Sequence, residues 1–137
     1  MYETILFPTD GSEGSDRAEG VALDIGQQFG SEVHAMHVID TRHYSEPALS
    51  TMELVTDEAE DAAMALLKEV VDEGDERDVD VSMHCCHGVP HDEILEYAEE
   101  IDADLIVMGY RGQTHSQKMG SVVDRVLRET DRQVLAV

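Results

Sequence analysis

The spacing of apolar positions along the chain alternates between the two-residue period of a strand and the three-and-four spacing of a helix. Tyr2, Ile5, Leu6 and Phe7 make residues 2–8 a buried strand, and Pro8, which cannot donate to a ladder, marks its end. Ala18, Val21, Ala22, Ile25 and Phe29 form the apolar face of a helix over Ser15–Gly30, with Gly30 as its stop. Glu32–Ile39 is a second strand. Val33, Ala35, His37 and Ile39 share one face, and His34, Met36 and Val38 the other. The irregular segment Asp40–Ser50, with Pro47 inside it, is read either as a cover for the mouth of a site or as a mobile loop.

A long helix follows over Thr51–Glu73, with Met52, Val55, Ala59, Ala62, Ala63, Leu66, Leu67 and Val70 as a buried stripe and its methionines as core packing. Val79–His87 is a third strand. Pro90 opens a third helix whose buried face is Ile94, Leu95, Ala98 and Ile101, with Asp92 and Glu93 in its first turn. Leu105–Met108, a helix over Gly120–Glu129 and a strand over Val134–Val137 complete the chain. The order βαβαβαβαβ predicts one domain over residues 1–137 with a parallel, doubly wound five-stranded sheet of order 3-2-1-4-5 and helices on both faces. In such a sheet the ligand crevice lies between strands 1 and 4, so Asp10 and Gly109 should flank one cleft.

The stretch around that crevice carries the candidate chemistry. The apolar run Leu105–Met108 breaks at Gly109-Tyr110-Arg111-Gly112, crosses a polar segment and reaches Gly120-Ser121-Val122, where helical spacing begins. Glycines allow close backbone approach, and a helix N-terminus offers free N–H groups to an anion. Strand, glycine loop and helix N-terminus together make a phosphate site. No Gly-Lys-Ser/Thr follows, so it is not a Walker A loop, and the dinucleotide spacing is absent. Asp10, in the turn Asp10-Gly11-Ser12, is either a turn or capping residue or a ligand contact.

These residues carry a resemblance. Gly109-x-x-Gly112, a spacer and Gly120-Ser121 resemble the ATP-binding motif of the universal stress protein family. So do the opening Ile5-Leu6-Phe7-Pro8-Thr9-Asp10-Gly11-Ser12, the Gly88-Val89-Pro90 turn and the closing Gln133-Val134-Leu135-Ala136-Val137. The resemblance covers nearly the whole chain. It implies ATP as ligand, with Pro8, Thr9, Asp10 and Ile39 around adenine and ribose and Met108 and Gly109 closing that pocket. Gly112, Gly120, Ser121 and Val122 would hold the phosphates, and Mg²⁺ would bridge them. It also implies a homodimer through the last strand. One departure stands out: Gln113–Met119 is seven residues, two shorter than the family's usual spacer.

Composition adds a strong acidic bias: 31 Asp and Glu against 9 Lys and Arg, a formal charge of −22. That excess argues against nucleic acid as a partner, which calls for Lys and Arg. Acids spread along every helix fit a halophile's cytoplasm, where molar salt reduces the Debye length to ~3 Å. Five of the nine cations (Arg111, Lys118, Arg125, Arg128 and Arg132) fall in the last 27 residues with only three acids. Arg128 and Arg132 suit helix-end compensation, whereas Arg111 and Lys118 lie in the loop, where they either meet phosphates or balance local charge.

The run His84-Cys85-Cys86-His87 suggests a metal site, but on a strand its side chains alternate between faces and cannot converge. Core packing is the better account of the cysteines, and of His34 and His37 as packed or capping groups. His87 and His91 flank the Gly88-Val89-Pro90 turn as weaker candidate contacts. The chain goes directly into a strand pattern and has no apolar run near the ~20 residues of a membrane span, so the expectation is a soluble, cytoplasmic protein without a membrane partner.

Two functions follow from this reading. One is an ATP-binding stress or signalling module that acts on an unknown protein partner, with at most slow ATP hydrolysis. The other is a dimeric interaction or scaffold module that does not bind nucleotide, for which the short spacer speaks. No nucleophile, base and orienting group are grouped by motif, and His115 reads as a solvent-exposed loop histidine.

Overall fold

A computed structural model describes residues 1–43, 49–111 and 119–137, with backbone alone at 43 and 49–56. In chain order the elements are β1 (Thr4–Pro8), α1 (Glu13–Phe29), β2 (Glu32–Asp40), α2 (Leu49–Glu76), β3 (Asp80–Gly88), α3 (Pro90–Glu100), β4 (Leu105–Met108), α4 (Ser121–Glu129) and β5 (Gln133–Ala136). A 3₁₀ turn over Thr41–His43 follows β2. The sheet order is β3-β2-β1-β4-β5, all parallel, as the alternation of elements requires.

Two apolar layers sandwich the sheet. On one face Ile5, Phe7, Val33, Ala35 and Val107 meet Ala18, Ala22 and Leu23 of α1 and Leu67 and Val70 of α2. On the other, Leu6, Met36, Ile106 and Met108 meet Ile94 and Ala98 of α3 and Val123 and Val126 of α4. Successive strand residues therefore serve opposite layers, which is why β1 and β4 read as unbroken apolar runs. The chain moves outward from β1 to β3 with α1 and α2 on one face. It then crosses to β4 and continues outward to β5 with α3 and α4 on the other. The reversal between β1 and β4 opens the crevice.

The helix boundaries differ from the periodicity in ways with local causes. α1 begins at Glu13 because Ser12 caps it, its Oγ accepting from the Ser15 N–H at 3.3 Å. Gly30, at φ 67°, ends the helix in the left-handed conformation, its N–H donating to the Gly26 carbonyl. Phe29 is 48% exposed rather than core. It stands past the last covered turn and meets Tyr2 edge to face, centroids 5.4 Å apart. In α2, Ala63, Leu67 and Val70 are buried, but Ala62 is exposed, contrary to the expected stripe, and Met64 is 44% exposed, contrary to the reading of the methionines as core. The helix continues beyond the sheet edge, so the part of its apolar face above the strands faces a cleft instead of a core. Met52 and Val55 fall outside the described side chains.

The four-residue run on β3 divides between the layers as the strand period requires. Cys85 packs against the α1/α2 side and Cys86 against the α3/α4 side, both as free thiols. Desolvation, with Glu93 beside it, pushes the Cys86 thiol up to about 11. Such a group stays protonated and is a poor nucleophile and metal ligand near neutrality. His84 stacks on Tyr97 at 3.8 Å, and His34 Nδ1 lies 3.2 Å from the Tyr97 hydroxyl. Among the described residues no three His, Cys, Asp or Glu side chains are grouped to hold a metal ion. Nor, among those residues, is any helix long and apolar enough to cross a membrane.

Candidate functional site

A cleft of about 1070 Å³ opens at the carboxyl edge of the sheet, across the β1/β4 reversal. From β1 and its turn it takes Pro8, Thr9 and Asp10, and from α1 Ser15. β2 contributes Met36 to Asp40, and Arg42 follows. The far wall is Met108, Gly109 and Arg111, then Gly120, Ser121, Val122 and Val123. Ala59, Ala62, Ala63 and Leu66 of α2 form an apolar side. Of the residues singled out from sequence, Pro8, Thr9, Asp10, Ile39, Met108, Gly109, Arg111, Gly120, Ser121 and Val122 meet in this one cleft. Gly112 lies outside the described residues, as do Lys118, His115 and the spacer through 118. So does the 44–48 part of the segment expected to cover the mouth.

Asp10 is held in place. Its Oδ1 accepts from the Ser12 N–H at 2.9 Å and from the Ser15 hydroxyl at 2.8 Å, while its own N–H donates to Ser15 Oγ at 3.1 Å. Ser15 is 5% exposed, so a buried hydroxyl fixes this carboxylate at the cleft wall. The turn reading of Asp10 is therefore real, and it also presents the residue to the cleft. Thr9 is anchored by its N–H to the Met36 carbonyl at 2.8 Å, and Gly11 makes the turn at φ 79°. Asp40 receives Arg42 in a bidentate pair, Nε to Oδ1 at 3.0 Å and Nη2 to Oδ2 at 2.8 Å.

The opposite wall offers donors. Gly120 is the N-cap of α4 at φ −64°, ψ 151°, and the first intrahelical bond runs from the Asp124 N–H to the Gly120 carbonyl at 3.0 Å. The N–H groups of Ser121, Val122 and Val123 precede that bond and lie at the positive end of the helix dipole. All three residues line the cleft. The base of the glycine loop is closed by backbone: the Gly120 N–H donates to the Tyr110 carbonyl at 2.8 Å. β5 braces it, with the Tyr110 N–H donating to Val137 at 2.7 Å and the Val137 N–H to Met108 at 2.8 Å. Tyr110 and Gly120, described residues on either side of the spacer, are thus held to each other.

Sequence reasoning missed two residues here. Gly14 packs by backbone against Arg111, for a methyl on Gly14 would stand 2.2 Å from the Arg111 carbonyl oxygen. Its position just before the helix expected over Ser15–Gly30 gave no signal, and only the structure places it in the first turn of α1. His37, read as a packed or capping histidine, does cap, its Nδ1 lying 2.8 Å from the Thr9 carbonyl oxygen, but it also lines the cleft. His87 and His91 do not line it. His87 Nε2 meets Glu60 at 2.8 Å, and His91 Nε2 meets Asp92 at 3.2 Å.

Fold and cleft together define a doubly wound α/β protein whose ligand crevice lies where the strand order reverses. The model of the universal stress protein family matches residues 1–137, and the chain belongs to that family. It is 36% identical over 140 residues to universal stress protein MJ0531 of Methanocaldococcus jannaschii, covering 100% of this chain and 82% of that protein. The solved structure of protein MJ0577, from the same organism, matches with a TM-score of 0.88 at 29% identity, over 100% of this chain and 96% of that one. A universal stress protein from Archaeoglobus fulgidus, solved in complex with dAMP, shares the fold with a TM-score of 0.75 at 21% identity, over 99% and 97%.

Proposed function

We propose that this protein binds ATP in the cleft and acts as a nucleotide-dependent stress or signalling module of the cytoplasm. The observation that carries the reading is the convergence of the Asp10 turn with the α4 N-terminus across one cleft. Pro8, Thr9, Asp10 and Ile39 would surround adenine and ribose, with Met108 and Gly109 alongside. Gly112, Gly120, Ser121 and Val122, with Arg111, would hold the phosphates through N–H groups, a hydroxyl and a guanidinium. Mg²⁺ would enter with the phosphates, which supply its oxygen ligands. That an Archaeoglobus fulgidus protein of this fold was solved with dAMP supports an adenine nucleotide.

The proposed assembly is a homodimer in which β5, the strand at one sheet edge, pairs with its partner's. Leu135, 39% exposed on this edge strand, supports an apolar contact there. The charge of −22 supports a halophile's cytoplasm as the setting. The spacer two residues short of the family's usual length favours a second reading, a dimeric interaction module without nucleotide. Calorimetric titration with ATP and Mg²⁺ in molar KCl, with Gly120→Val as control, separates the two. Saturable heat that the variant loses supports ATP binding, and no heat at millimolar ATP supports the second reading.

A further inference from the structure

His37 is built into the cleft wall with its two ring nitrogens in different circumstances. Nδ1 lies 2.8 Å from the Thr9 carbonyl oxygen. A carbonyl only accepts, so Nδ1 carries the proton, and Nε2 of the neutral ring is an acceptor. Thr9 is itself tied to β2 through its N–H to Met36, so the imidazole is oriented by fixed backbone. Nε2 has no hydrogen-bond partner among the described residues. Two carboxylates of the same cleft already hold donors, Asp10 Oδ1 those of Ser12 and Ser15, and Asp40 that of Arg42. The α2 side of the cleft (Ala59, Ala62, Ala63 and Leu66) has no side chain that can hydrogen-bond.

An oriented acceptor beside apolar wall discriminates sharply. A ligand that brings a donor satisfies it, and one that brings an acceptor or nothing leaves it unpaired. We propose that His37 Nε2 is a specificity-determining acceptor for a donor on the nucleoside part of the ligand, either the exocyclic amine of a 6-amino purine or a ribose hydroxyl. This rests on the nucleotide reading of the cleft. The Nδ1–H bond to Thr9 supplies the selectivity by forbidding the tautomer in which Nε2 would donate.

The test compares dissociation constants of ATP, ITP, 2′-deoxy-ATP and 3′-deoxy-ATP for the full chain and for His37→Asn. Asparagine sets an amide N–H near the Nδ1 position, retaining a donor for Thr9, and has nothing at Nε2. The wild type should prefer ATP to ITP by roughly 10-fold or more if the base amine is read, or ATP to one deoxy analogue if a hydroxyl is read. His37→Asn should reduce that preference to within about twofold while still binding nucleotide. Should the Asn variant fail to fold, His37→Leu, which has no hydrogen-bonding atom at either ring-nitrogen position, serves instead and should likewise reduce the preference to within about twofold. Equal affinity of the wild type for all four, or an undiminished preference in His37→Asn, overturns the inference and leaves the nucleotide reading intact. No binding of any of the four by the wild type overturns both.

Discussion

Gly109 and Gly14 lie backbone against backbone. A methyl on Gly109 would come within 2.7 Å of the Gly14 carbonyl carbon, and one on Gly14 within 2.2 Å of the Arg111 carbonyl oxygen. The atoms in the way are main chain, so neither can be relieved by a side-chain rotation. This contact sets the first turn of α1 against the start of the glycine loop, beside the cleft that Asp10 and Arg111 both line.

Gly14→Ala should therefore destabilise the protein by about 1–3 kcal/mol, the usual cost of overpacking. Gly20→Ala, in the same helix but with nothing within 4 Å of the added methyl, is the control. It should be neutral or slightly stabilising by the helix propensity of alanine. Urea unfolding of the two variants measures the contrast. Equal stabilities would show that the α1–loop contact is not tight in solution.

Ser15→Ala removes the hydroxyl that donates to Asp10 Oδ1 and accepts from the Asp10 N–H. The expected loss of stability is about 1 kcal/mol, typical of a side-chain hydrogen bond. If Asp10 meets the nucleoside as proposed, the variant should also bind ATP more weakly, because the carboxylate keeps the Ser12 N–H but loses the hydroxyl that helps to orient it. Parallel unfolding and calorimetry report the two effects separately.

Cys86 should resist alkylation. With its thiol pushed up to about 11 from 9.0, the thiolate fraction at pH 8 is roughly 100-fold below that of an ordinary cysteine, before steric protection is added. The sign is that of an acid whose neutral form is favoured by folding. This contribution to stability is present below the ordinary thiol value and is lost as pH rises through about 11. Iodoacetamide labelling at pH 8, read by mass spectrometry with and without denaturant, should show slow modification that unfolding accelerates.

Leu135→Lys tests the proposed dimer. It places a charge on the exposed face of β5, the device by which edge strands avoid pairing. Sedimentation of the wild type should give twice the chain mass, and that of the variant the chain mass alone. A monomeric wild type would count against pairing through β5.

The sheet order was legible because each strand and helix declares itself by period, and right-handed crossovers leave few ways to connect them. The site was legible where composition is unusual for its element, as at Gly109 and Gly120-Ser121, or where topology brings a turn opposite, as at Asp10. The rest depends on tertiary geometry. Nothing local says that the α2 stripe outruns the sheet, so Ala62 reads as core although it walls the cleft. Phe29 fits the helical period, but that period does not reveal where the covering sheet stops. Gly14 reads as a turn residue ahead of the helix until the structure sets it in the first turn of α1, against the Arg111 backbone. His37 shows its second role only once Thr9 is found at its Nδ1.

The central claim is that the Asp10 turn and the α4 N-terminus bind one nucleotide between them. The most direct measurement is an amide ¹H–¹⁵N titration with ATP and Mg²⁺ in molar KCl. Saturating shifts confined to Thr9–Gly11, Ile39, Gly109 and Ser121–Val123, with one affinity at all of them, are the predicted result. Shifts that leave either wall unmoved, or that appear instead along β3 or β5, would contradict it.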